Sequence, residues 1–100
     1  MAIATRPFDA ANYLDTAADQ VDLLSDALDS GDPRTIAYAL GAVARARGGI
    51  AKLAEDSGLS RQALHKALSE KGNPTLETVL KVLKALGLHM RIEEAGAEAA

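Results

Sequence analysis

The sequence predicts an all-helical fold, and its composition is the first reason. Apolar residues make up 48% of the chain; 21 of them are alanine and 14 are leucine, whereas Phe, Tyr and Trp together reach only 3%. Alanine and leucine favour helices, while sheets are rich in β-branched and aromatic residues. The second reason is that residues typical of helix ends recur at intervals of about one helix length. With 100 residues, the chain forms one domain, or one domain with a short appendage.

The first third of the chain predicts a short helix followed by a longer one. Asp9 is placed to cap a helical stretch that runs through Leu14. Thr16 is placed to cap a second helix that ends at about Asp29. The apolar residues of this second helix recur at helical spacing, at Val21, Leu24 and Leu28.

A stop and a restart follow at residues 30–33. Gly31 suits the left-handed position after a helix end, Asp32 suits the N-cap, and Pro33 suits the first helical residue. The helix that begins here runs to about Arg47, where Gly48-Gly49 ends it. One face of this helix carries Ile36, Leu40, Val43 and Ala44.

Residues 50–68 carry the most informative pattern. A first helix ends at Gly58, a residue that tolerates the positive φ of a tight turn. Ala54 supplies a small side chain where two steeply crossing helices approach each other. Ser60 is placed to cap a second helix, which buries Leu64, Ala67 and Leu68. Ala-x-x-x-Gly-Leu-Ser before a polar helix is typical of a helix-turn-helix, although ordinary helical hairpins share it.

Two further elements follow a polar loop. Thr75 is placed to cap a helix that ends at about Leu86. Its apolar stripe consists of Leu76, Val79, Leu80, Leu83 and Leu86. Residues 88–93 then alternate between apolar and polar, which is the period of a strand. Because a lone strand is unstable, either it pairs with its symmetry mate in a homodimer, or its apolar residues fold back over the helical core. The apolar residues concerned are Leu88, Met90 and Ile92.

Four stretches of the sequence carry a family resemblance. "AEDSGLSRQALHKAL" and "GNPTLETVLKVLKALGL" resemble the five-helix domain of phage-repressor-type regulators, over roughly residues 35–88. With "FDAANYLD" and "ALGAVARARGG", they resemble more closely the addiction-module antidote proteins, the antitoxins of toxin–antitoxin pairs. Gly48-Gly49-Ile50 departs from the polar cap that usually precedes the motif. The predicted fold is therefore a repressor-like helix-turn-helix domain of five helices, with extra N-terminal helices and a short C-terminal strand.

The resemblance implies a DNA-binding protein that represses its own operon and neutralises a partner toxin, a small basic mRNA interferase. It also places the N-terminal part of the second motif helix in the major groove. Four polar residues face outward if Leu64 and Leu68 face inward: Arg61, Gln62, His65 and Lys66. Arg61 and Lys66 suit guanine, and Gln62 suits adenine. The residues suited to phosphate are Ser60, Lys71 and Lys52. The alternative is that this face is only solvated, although no acid lies between residues 61 and 69.

Charge divides the chain into regions of opposite sign. Residues 1–33 carry one arginine against seven aspartates, a net charge of −6, whereas residues 34–91 carry ten basic against four acidic residues, a net charge of +6. Because a ribonuclease presents a basic face to its substrate, the acidic segment is predicted to contact the toxin. The candidate apolar anchors are Phe8, Tyr13 and Leu14. Alternatively, these three residues pack on the domain and the aspartates only cap and solvate helices.

The predicted domain organisation of the chain is an acidic helical extension (1–33), a helix-turn-helix DNA-binding domain (34–94) and a flexible tail (95–100).

Other classes of function lack support in the sequence. Cysteine is absent, and the only two histidines, His65 and His89, lie in different elements, so no metal, cofactor or catalytic pair is predicted. The chain has no apolar run of about 20 residues and no signal-peptide pattern, which predicts a cytoplasmic protein. Two other interpretations stay open: a prophage-type transcriptional regulator without a toxin, and a protein-interaction module with a vestigial DNA face.

Overall fold

The computed structural model describes residue 11 and residues 14–96, which contain five α-helices. The helices are α1 (Ala17–Ser30), α2 (Pro33–Ala46), α3 (Gly49–Ser57), α4 (Arg61–Ala67) and α5 (Leu76–Ala85). The all-helical prediction is confirmed for this part of the chain. The short helix predicted from Asp9 to Leu14 falls largely outside the described residues. None of the described helices is long and apolar enough to cross a bilayer.

Local capping chemistry sets the start of four helices, as the sequence predicts. Thr16, Asp32, Ser60 and Thr75 each accept a hydrogen bond from a backbone amide in the first turn of the helix that follows. Helix α3 is the exception, because Gly48 precedes it in a left-handed conformation and gives no side-chain cap. The departure of Gly48-Gly49 from the usual polar cap is therefore visible in the structure.

Helix α2 is the centre of the molecule. It packs against α1 and α3, and α3 in turn packs against α4 and α5. Its buried residues are Ala37, Ala39, Leu40, Gly41, Ala42, Val43 and Ala44. This set is wider than the single face that the sequence predicts. The small side chains allow neighbouring elements to approach α2 from several sides.

Helix α1 shares the core of the other four helices. Leu24 and Ala27 are buried in it, and so is Leu14, just before the helix begins. The resemblance implied five helices within residues 35–88, but the structure has four helices there, and α1 completes the set of five. The acidic region up to residue 33 and the basic region after it therefore share one hydrophobic core.

A buried polar network joins α1 to the ends of α2 and α5. Gln20 is buried, and its Nε2 donates to the carbonyl of Leu14 at 3.3 Å. Arg47 donates from Nε to Oε1 of Gln20, and from Nη1 to the carbonyl of Leu86. In the sequence, Arg47 marks only the end of a helix, and no local pattern predicts this role because the three partners are far apart in the chain.

We expect Arg47→Met to lower the free energy of unfolding by about 2–3 kcal/mol, because it leaves Oε1 of Gln20 and the carbonyl oxygen of Leu86 without a hydrogen-bond donor. Arg34→Met is the matched control, since Arg34 is exposed in the first turn of the same helix. Urea denaturation of the two variants makes the comparison. Equal stability of the two variants would show that the network contributes nothing to folding.

The buried face of α5 differs from the predicted stripe. The buried side chains are Val79, Val82, Leu83 and Leu86. Val82 is fully buried although the prediction left it out, whereas Leu76 and Leu80 are 66% and 47% exposed. The predicted stripe is therefore only partly buried in the single chain, because its five apolar residues span a wide arc of the helix. Only the position of the neighbouring helices decides which part of that arc is covered.

The predicted strand at residues 88–93 is not formed. Residues 88–96 have no regular secondary structure, and a strand needs a second extended segment to accept its hydrogen bonds, which the described residues do not provide. Leu88 is half-buried against the core, and its amide donates to the carbonyl of Leu83 at 2.8 Å. Ile92, by contrast, is 99% exposed. The alternative of folding back over the core therefore holds for Leu88 and not for Ile92.

Candidate nucleic-acid interface

Helices α3 and α4 are joined by a turn of three residues, 58–60. Gly58 has φ of 78°, in the left-handed region, and its amide donates to the carbonyl of Ala54 at 3.0 Å. The amide of Leu59 donates to Oγ of Ser57 at 3.2 Å, and Ser60 then caps α4. The turn chemistry predicted for Gly58 and Ser60 is confirmed. It fixes the direction in which α4 leaves α3.

The two faces of α4 are those that the helical period predicts. Leu64 is fully buried, Leu68 is buried just beyond the helix end, and Ala67 is half-buried. The four predicted DNA-reading residues are all exposed: Arg61, Gln62, His65 and Lys66. No acidic side chain among residues 14–96 forms an ion pair with Arg61 or Lys66. Both cations are therefore available to an anionic partner.

The three residues predicted to contact phosphate differ in their surroundings. Lys71 is exposed in the loop after α4. Ser60 uses its oxygen to accept the cap hydrogen bond from Ala63, which leaves its hydroxyl hydrogen for a ligand. Nζ of Lys52 lies 3.4 Å from Oδ2 of Asp56, and the two side chains form a solvent-exposed ion pair one helical turn apart. Such a pair is weak, so Lys52 can exchange this partner for a phosphate.

Gly72 holds the loop that follows α4, a role that no pattern in the sequence predicts. The residue is buried, and its amide donates to the carbonyl of Ser69 at 2.8 Å. A Cβ atom at this position would lie 2.1 Å from the carbonyl oxygen of Ala67, the last residue of α4. The only signal in the sequence was a glycine in a polar loop, which does not distinguish a tolerant turn from a close backbone approach.

The predicted toxin anchors are only partly placed by the structure. Leu14 is buried in the core, which agrees with the alternative that it packs on the domain. Phe8 and Tyr13 lie outside the described residues. Four acidic residues of α1 are exposed along one side of the helix: Asp19, Asp22, Asp26 and Asp29. No basic side chain of residues 14–96 forms an ion pair with any of them.

Two comparisons with known proteins identify relatives of this chain. A family model described as "Probable addiction module antidote protein" matches residues 4–94, from before α1 to beyond α5. The chain is also 42% identical over 90 residues to a protein of Haemophilus influenzae described as uncharacterized, which covers 89% of this chain and 91% of that protein. No solved structure matches the chain significantly. The chain therefore belongs to the family of probable addiction module antidote proteins.

Proposed function

We propose that the protein is the antitoxin of a type II toxin–antitoxin system, which binds and neutralises a partner toxin and represses the operon that encodes both. The observation that carries the proposal is the family match over residues 4–94. The partner is a small basic mRNA interferase, in keeping with the acidic side of α1. Such a toxin must bind a polyanion, and its positive face is complementary to that side.

Helices α3 and α4 form the DNA-binding part of the proposed function. Arg61, Gln62 and Lys66 read base edges in the major groove, with His65 beside them. Ser60, Lys71 and Lys52 contact the phosphates on either side. The proposal is supported by the exposure of this face and by the absence of an acidic partner for its cations within residues 14–96.

The protein works as a homodimer, because a helix-turn-helix protein reads a palindromic operator with two copies held at fixed spacing. The proposed interface extends from α5 through Ile92. It includes the apolar residues of the C-terminal segment, Leu88, Met90 and Ile92. Exposed apolar side chains support this choice, since Leu76, Leu80 and Ile92 all lie on the surface of the single chain.

We expect Leu76→Ser/Leu80→Ser, and separately a chain that ends at Leu88, to sediment as monomers and to lose operator affinity. Ending the chain at Leu88 keeps that residue's hydrogen bond to Leu83 and removes the exposed segment. Tyr38→Ser is the control, because it removes a partly exposed apolar ring from α2, away from the proposed interface. If both altered chains stay dimeric, the interface lies elsewhere, most plausibly on α1.

The decisive experiment is co-expression with the protein encoded by the adjacent reading frame. We expect that protein to arrest growth alone, and this chain to restore growth and to shift a DNA fragment of its own promoter. Promoter binding without a toxic neighbour would favour the prophage-type regulator. Restored growth without promoter binding would favour the interaction module with a vestigial DNA face.

A further inference from the structure

A groove lies between α1 and the C-terminal segment 88–93. It has a volume of about 470 Å³ and is open to solvent along one side. Leu24 and Leu83 are buried residues that line it. Val21 of α1 and Met90 of the C-terminal segment also line it, and they are 41% and 37% exposed. The groove is thus an apolar concave surface that the single chain leaves uncovered, of the kind that a partner's side chains fill.

The border of the groove is acidic. Asp29 and Glu93 line it, and Asp22 and Asp26 continue the same charge along the adjoining side of α1. Arg91 and His89 are the basic residues among the lining side chains. The four carboxylates form no ion pair with a basic side chain of residues 14–96. The potential at this border therefore favours a cationic partner.

We propose that this groove receives an amphipathic basic segment of the partner toxin. Apolar side chains of that segment pack between Val21 and Met90, and its Lys or Arg side chains meet Asp29 and Glu93. The inference rests on the proposed antitoxin function. It places the toxin contact on the outer side of α1 and on the C-terminal segment, in addition to the N-terminal residues Phe8 and Tyr13.

A toxin suits this groove better than a second copy of the same chain does, so Met90 is reassigned here from the proposed dimer interface, which keeps Leu76, Leu80 and Ile92, to the toxin contact. Two copies that met groove to groove would bring together two borders that each carry Asp29 and Glu93 against Arg91, and two surfaces of the same net charge oppose association. A basic ribonuclease brings the opposite sign. It also supplies apolar side chains from a separate protein, which can cover Val21 and Met90 together.

The steric test uses Ser25, an exposed residue of α1 that lines the groove. Ser25→Trp fills the groove from the surface and removes no core contact, whereas Ser25→Ala leaves it open. The probe is the purified protein encoded by the adjacent reading frame, with binding measured by calorimetry on the full chain. We expect Ser25→Trp to weaken binding at least about tenfold and Ser25→Ala to leave it unchanged.

The electrostatic test compares two identical changes of charge. Asp29→Lys reverses a charge at the groove, and Glu55→Lys reverses one on α3. We expect Asp29→Lys to slow association with the same probe about tenfold at low salt, and less at high salt, whereas Glu55→Lys has no effect. Asp29→Lys should not unfold the protein, because a cation is favourable near the C-terminal end of a helix. Thermal unfolding of each variant checks this.

The outcomes separate the inference from the function on which it rests. If the unaltered protein fails to bind the probe, both the antitoxin function and the groove inference are overturned. If the unaltered protein binds and Ser25→Trp binds equally well, the groove inference alone is overturned. It is also overturned if Ser25→Trp separates a homodimer into monomers, since a second copy is then the occupant. Weak binding by Ser25→Trp and Asp29→Lys, with both controls unchanged, supports the groove.

Discussion

We expect the variant Arg61→Ala/Gln62→Ala/Lys66→Ala to bind its own promoter about a thousandfold more weakly than the unaltered protein does, with no change in stability. Each well-placed contact to a base edge contributes about 1–3 kcal/mol, and the three side chains are exposed on one face of α4. Leu64 and Leu68, which hold the helix in the core, are untouched. Fluorescence anisotropy with a labelled promoter fragment measures the loss.

The control for this variant is Arg34→Ala/Arg45→Ala. Both residues are exposed on α2, and the pair removes as many positive charges as the triple variant does, outside the α3–α4 pair and outside the proposed dimer interface. A loss of promoter affinity in the triple variant alone would therefore reflect where the three side chains lie and not the change in net charge.

Lys71→Ala should instead weaken binding to all DNA sequences alike. It should reduce the slope of the logarithm of affinity against the logarithm of salt concentration by about one unit, as the loss of a phosphate contact does.

Footprinting adds a test of which contact reads which base. Arg61→Ala alone should cost about 1–3 kcal/mol and relax the preference at one position of each half-site. An unchanged footprint and affinity in the triple variant would refute the assignment of base reading to α4.

Gly72→Ala should strongly destabilise the protein, although it adds only one methyl group to a loop. We expect a loss of about 3 kcal/mol in the free energy of unfolding, or a fall of roughly 15 °C in Tm, from overpacking alone. A Cβ atom would lie 2.1 Å from the carbonyl oxygen of Ala67 and 2.7 Å from its carbonyl carbon. Both atoms belong to the backbone, so no side-chain rotation relieves the clash. The loop can only move away from the end of α4.

Gly41→Ala is the matched control for this prediction. A Cβ at Gly41 would lie 3.3 Å from Nη1 of Arg45, the far end of a flexible side chain, and 3.4 Å from the carbonyl oxygen of Leu68. Alanine is also favoured over glycine inside a helix by about 1 kcal/mol. We expect this variant to stay within about 1 kcal/mol of the unaltered protein in thermal unfolding. Similar free energies of unfolding for Gly72→Ala and Gly41→Ala would show that the loop at Gly72 can move to accommodate a Cβ atom.

The position of α1 also changes how the proposed toxin-binding surface can be tested. Removing the first 31 residues would be a direct test if α1 were a separate extension. In the structure, such a truncation removes Leu24 and Ala27 from the core, and Gln20 from its network with Arg47. The truncated chain would lose neutralisation through unfolding alone. Surface changes such as Ser25→Trp and Asp29→Lys keep the core and test the surface itself.

The features that depend on neighbouring residues could be predicted from the amino-acid sequence. The starts of α1, α2, α4 and α5 follow from a Thr, Asp or Ser whose side chain reaches an amide in the next turn. The exposed face of α4 follows from the spacing of Leu64 and Leu68. A cap and a helical period both act over three or four residues, so the information needed to predict them lies within one short window of the chain.

Only the tertiary structure decided the features that join distant residues. The network of Gln20, Arg47 and the Leu86 carbonyl spans most of the chain. The lack of space for a Cβ atom at Gly72 depends on how the loop folds against the end of α4. The burial of Val82 in place of Leu80, and the groove beside α1, likewise depend on how whole helices pack. The physical reason is that the pattern of apolar residues along a helix identifies only which residues can be buried. Which of them are covered depends on the orientation of the neighbouring helix, and no local pattern encodes that orientation.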